Sequence, residues 1–153
     1  MIRAKQIIAI AFTLAATILW GNIGYTQHGS CVALEAHFVE KEAVMLRSWD
    51  ALYGSYKSYR QCDDGAIAEG YSESVARILV DHWTSLPRLV RFADKDAAFL
   101  RFVMKHVDAT LNMVDVQTIK TNAQTQCPPG LSKICAELMK QADFALSQDA
   151  STH

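Results

Sequence analysis

Ala66-Ile-Ala-Glu-Gly-Tyr-Ser-Glu-Ser-Val-Ala-Arg-Ile-Leu-Val-Asp-His-Trp83 is the stretch that decides the fold. Ala68, Tyr71, Val75, Ile78, Leu79 and His82 recur at three- and four-residue steps, so they share one face of an α-helix. Glu69, Glu73, Arg77 and Asp81 fall off that seam, on the side a helix turns to water. Cys62-Asp63-Asp64-Gly65 stands just before it. Carboxylates there accept bonds from the free N–H groups of the first turn and complement the helix dipole.

The same period extends in both directions, and no alternating strand pattern competes with it. Upstream, Phe38, Met45, Leu46, Trp49, Leu52, Tyr53 and Tyr56 predict one long helix over 34–59, weakened near its end by Gly54. Downstream, Ser85 and Pro87 open a short helix carrying Leu89, Val90 and Phe92. Asp94 to Asp96 cap a helix over 97–109 with a broad apolar face that includes Phe99, Phe102, Val103 and His106. Asp115 caps a segment holding Val116, Ile119 and Ala123. A last helix over 131–146 carries Leu131, Ile134, Cys135, Leu138, Ala142 and Ala145, and 148–153 reads as a disordered tail. The expectation is an all-α protein: a compact, disulfide-stabilised bundle of five to six short helices, with one domain over 34–147.

The N-terminus has a different character. Met1 to Lys5 carries two cations and no acid, and an apolar run of 14 residues from Ile7 to Trp20 leads into Gly21-Asn-Ile-Gly24. Basic head, short apolar middle and small-residue exit make a secretory signal. A membrane anchor needs about 20 apolar residues, more than the run supplies. The signal is assigned to 1–33, with its cut between 24 and 36. Ala33, Ala36 and Thr26 each offer a cut site, and His28-Gly-Ser-Cys31 lacks the aliphatic residue of a lipoprotein signal. The expected location is the periplasm.

Export makes the four cysteines candidates for disulfides. Cys127-Pro-Pro-Gly-Leu-Ser-Lys-Ile-Cys135 reverses the chain between two helices, and a local bridge between Cys127 and Cys135 is the first choice. Bridges from Cys62 to Cys127 or Cys135 are the alternatives, and a cut before Cys31 leaves Cys62 a partner of its own. There is no C-x-x-C and no H-x-x-x-H, so neither a redox motif nor a zinc pair is present, and no cofactor or metal is called for.

Charge narrows the partners. The chain has 15 Lys+Arg and 16 Asp+Glu; loss of Arg3 and Lys5 leaves 13 against 16, near −3, or −2 if Glu35 also leaves. That excludes the basic excess of a nucleic-acid or anionic-membrane binder. Asp63, Asp64, Glu69 and Glu73 form a candidate contact patch for a protein partner. His82 beside Asp81, and His106 beside Asp108, are the candidates for acid–base work in a small envelope enzyme, which requires a pocket around one of them. A structural or stress-related envelope protein is the third class, and a homodimer is open to all three.

The signal, the stretch Tyr59-Arg-Gln-Cys62-Asp-Asp-Gly-Ala-Ile-Ala-Glu-Gly-Tyr71, and the paired Cys127 and Cys135 together resemble the Rap/Tai immunity proteins of type VI secretion systems. The resemblance implies a periplasmic, mostly helical, disulfide-stabilised protein. It also implies a partner, a secreted cell-wall amidase toxin whose active-site cleft the protein blocks. It assigns no contact residue to a position in this chain.

Overall fold

The computed structural model describes residues 30–150. The signal-like segment, apart from its last few residues, lies outside them, as do residues 151–153. Seven α-helices follow one another with no strand among the described residues: α1 (Ala33–Ala43), α2 (Trp49–Tyr59), α3 (Gly65–Asp81), α4 (Leu86–Ala93), α5 (Ala97–Lys105), α6 (Met113–Thr125) and α7 (Ser132–Ala150). None is long and apolar enough to cross a membrane.

The central element is α3. Ile67, Tyr71, Val75, Ile78 and Leu79 are buried, and so are Gly70, Ser72, Ser74 and Ala76 on its other sides. A helix buried on more than its apolar stripe must be enclosed by neighbours, and α1, α2 and α6 all pack against it. Ala68 is only half-buried, with Ile67 taking its place in the core, and His82 is an exposed C-cap residue rather than the end of the seam. Tyr71 is fully enclosed and its hydroxyl lies 2.9 Å from Ser55 Oγ. Burial pushes the phenol up to about 12. Tyr53, Tyr56, Phe92, Phe99 and Phe102 form a connected set of rings between α2, α4 and α5.

The long first helix expected over 34–59 is two helices. The chain leaves helical geometry after Ala43, and Ser48 starts α2 by accepting a bond from Ala51 N–H at 3.2 Å. Ser74 of α3 holds the break from the side. Its hydroxyl donates to the carbonyl of Ala43 and accepts from Leu46 N–H at 3.1 Å. One turn earlier on the same face, a methyl added at Gly70 would stand 3.1 Å from Ala43 Cβ and 3.2 Å from Val44 N, so the absence of a side chain lets α1 reach α3. The break turns Phe38 and Met45 outward, though the periodicity had placed both on the core face.

Other boundaries moved for equally local reasons. α5 stops at Lys105, not Ala109, because Asp108 Oδ1 accepts from Thr110 N–H at 2.8 Å and folds the chain into a turn. Asn112, not Asp115, caps α6, bonding Val114 N–H at 2.9 Å, while Asp115 pairs with Arg77. Ser85 occupies the position before α4 without making a capping bond. α7 continues to Ala150, so residues 148–150, expected in the loose tail, are helical; each added residue gains a backbone bond once a helix is under way.

Two disulfides close the fold. Cys127–Cys135 joins α6 to α7 across the Pro128-Pro129-Gly130 reversal, as the spacing predicts. Cys62 pairs with Cys31 rather than with either C-terminal cysteine. A cut after Ala33 or Ala36 would sever Cys31 from the domain; a cut near Thr26 keeps it.

Candidate functional site

The junction between α2 and α3 holds a linked set of polar groups. After Tyr59 a single 3₁₀ turn, Arg60–Cys62, carries the chain to Asp64, whose carboxylate accepts from Gly65 N–H at 2.8 Å and caps α3. Gly65 sits at φ +51°, where a side chain is strained. Buried Cys62 holds Cys31, which brings the segment before α1 onto this junction.

Asp63 turns inward, and its side chain is 10% accessible. One oxygen is 2.9 Å from Lys105 Nζ and the other 3.2 Å from His106 Nε2. Burial raises the carboxyl's proton affinity, but His106 and Lys105 outweigh it and hold the pKa below the usual 3.8. On the far side of the ring, His106 Nδ1 is 3.0 Å from Ser72 Oγ, and Ser72 Oγ donates to Asp108 Oδ2 at 2.9 Å. Serine, histidine and carboxylate are the ingredients of nucleophilic catalysis. Access is missing. Ser72 and His106 are each 1% exposed, and Phe102 meets the imidazole edge-on with centroids 4.4 Å apart. No substrate carbonyl can approach a hydroxyl enclosed in this way. The chain of groups ties α3 to the end of α5 and the turn after it. His82, the other candidate base, is exposed at the end of α3 and lines no part of the cleft described next.

The four acids expected as a contact patch have separate fates. Asp63 is committed to Lys105 and His106, and Asp64 to the cap. Glu73 pairs with Arg77 at 3.2 Å along α3, and Glu69 stands exposed.

Beside the Asp63–Lys105 pair the surface opens into a cleft of about 1070 Å³. Residues 30–35 form one wall, the end of α2 and its 3₁₀ turn a second, and α5 a third. Four cations line it, Lys57, Arg60, Arg101 and Lys105, against Glu35 and Asp63. Lys57 is engaged by Asp96 at 3.5 Å, Lys105 by Asp63, and Glu35 faces the Val32 N–H at 3.5 Å. Arg60 and Arg101 have no carboxylate partner among the described residues; Arg60 lies over the Tyr56 ring, 5.7 Å from its centroid. Sequence reasoning missed this group. Lys57 with Arg60, and Arg101 with Lys105, are spaced to share a helix face, a signal that was available, but their convergence from two helices was not.

Next to the cleft, α1 presents apolar side chains to water. Leu34 is 83% exposed, Phe38 56%, and Met45, just past the helix, 72%. Phe38 touches only the rim of the core, 6.0 Å from the Tyr59 ring. No protein-family model, no curated protein and no solved structure matches the chain.

Proposed function

We propose that this chain is a periplasmic binding protein of the immunity type, which protects the cell by covering the active-site cleft of a secreted cell-wall amidase toxin. The observation that carries the reading is the exposed apolar side chains of Leu34, Phe38 and Met45, beside two arginines without carboxylate partners among the described residues. Large exposed apolar side chains rimmed by polar groups mark a surface that another protein covers. Two disulfides suit an oxidising compartment, and the leader-like N-terminus points to the same place. Ser72 and His106, which have the chemistry of a nucleophile and a base, are enclosed and tie elements together, which favours occlusion over chemistry.

The test is expression of the full chain in the periplasm of cells challenged with an amidase toxin encoded beside its gene. The protein is expected to co-purify with the toxin and to keep the cells intact. Lysis at the rate of cells lacking the chain, with no toxin retained on the purified protein, would refute the proposal.

A further inference from the structure

We propose that the cleft between the segment 30–35, the end of α2 and α5 binds an acidic segment of the protein partner, with Arg60 and Arg101 each taking a carboxylate. This rests on the binding-protein reading and names the chemistry of its partner.

Three observations converge on it. The first is charge left over after internal pairing. Of the four cations in the cleft, Lys57 and Lys105 already have carboxylates, whereas Arg60 and Arg101 have none among the described residues. A guanidinium presents a planar fork that matches a carboxylate with two parallel bonds, and clefts concentrate the field of the charges that line them. The second is size. At about 1070 Å³ the cleft lies just above the roughly 300–1,000 Å³ of small-ligand pockets, far more than a lone anion occupies. The third is the charge of the rest of the chain. An excess of Asp+Glu over Lys+Arg outside the leader repels an extended polyanion such as a nucleic acid, while a short acidic segment meets only the cleft. The walls are also held in place. The Cys31–Cys62 bridge fixes one, and the Asp63–Lys105 and Lys57–Asp96 pairs brace α5 and its N-terminal cap against the end of α2, so binding orders little new structure.

The experiment is an NMR titration of ¹⁵N-labelled protein, purified from the periplasm after expression of the full chain. The probe is a hexaglutamate peptide with blocked ends; hexalysine and inorganic phosphate serve as separate arms. The expected result is saturable shifts confined to residues 59–61 and 101–105, absent with hexalysine, and weakened about tenfold or more in the Arg60→Gln, Arg101→Gln double variant. Both arginines are exposed, and circular dichroism checks that the variant stays folded. Shifts that do not saturate, that scatter over the surface, or that persist unchanged in the variant overturn the proposal. So does phosphate binding with equal affinity and the same shifts, because the cleft would then be a general oxyanion site. The peptide arm needs no toxin. Peptide binding at the cleft without protection from the amidase would leave the cleft standing and remove the immunity reading. Capture of the toxin equally by wild type and the double variant would do the reverse.

Discussion

Replacing Ser74 with alanine removes one oxygen and unties three helices. Ser74 Oγ is the partner of two backbone groups at the α1–α2 break, the carbonyl of Ala43 and the N–H of Leu46. Ser74 and Ala43 are fully buried and Leu46 nearly so, and neither backbone group has another partner among the described residues. A buried backbone group left without a partner costs about 1–3 kcal/mol, so two of them cost about 2–4 kcal/mol once some relaxation is allowed. Domains of this size have about 5–15 kcal/mol in all. With an m-value of about 1.5 kcal/mol/M, the urea midpoint should fall by about 1.3–2.7 M. Equilibrium urea unfolding followed by tryptophan fluorescence reads this directly, and Trp49 at the start of α2 reports the affected region. Ser147→Ala is the control. Its exposed hydroxyl donates to the carbonyl of Phe144 within α7, and its loss should stay within about 0.5 kcal/mol. Hydrogen exchange supplies a local readout, because the Leu46 amide should lose protection in Ser74→Ala before the amides of α7 do. A Ser74→Ala loss no larger than that of Ser147→Ala would show that the break between α1 and α2 does not depend on α3, and the reasoning would be wrong.

Gly70→Val should cost about 1–3 kcal/mol by forcing α1 away from α3, measured by the same unfolding curves, since the Val44 backbone cannot yield as a flexible side chain would. Asp63→Asn should change the acid limb of stability. The folded-state pKa of Asp63 is depressed, so its contribution is present above the unfolded value near 3.8 and is lost as pH falls through the lower folded value. Wild type should therefore exceed Asp63→Asn in stability at neutral pH and lose that advantage below about pH 4 in thermal scans. Removing Cys31–Cys62 by double serine substitution should cost about 3.7 kcal/mol and removing Cys127–Cys135 about 2.5 kcal/mol, because the loops they close differ in length, with sequence separations of 31 and 8. Intact mass of the exported protein before and after reduction should show two bridges and a mature chain that still contains Cys31.

Local spacing determined a large part of this protein. The seam of α3 with Tyr71, Val75, Ile78 and Leu79, the caps at Asp64 and Asp96, the apolar face of α7 and the Cys127–Cys135 bridge all depend on residues within one or two turns of each other. Such neighbours meet in any helical chain with this sequence, so their roles are legible before folding is considered. What the sequence could not show depends on groups 28 to 42 positions apart. Ser74 finds Leu46, Ser72 finds His106, and Asp63 finds Lys105 only after α3 is enclosed. Nothing in their own neighbourhood distinguishes Ser74 from a solvated serine or Asp63 from a second cap. The periodicity of 34–59 is similarly silent about its break, because Phe38 and Met45 keep the helical step across it and the interruption is held by a side chain from another helix. Arg60 follows the helix expected over 34–59 and Arg101 sits within the one expected over 97–109, and nothing local links the two. Only packing α5 beside the end of α2 turns them into one cleft, since the charge of each is local but their convergence is a property of the fold.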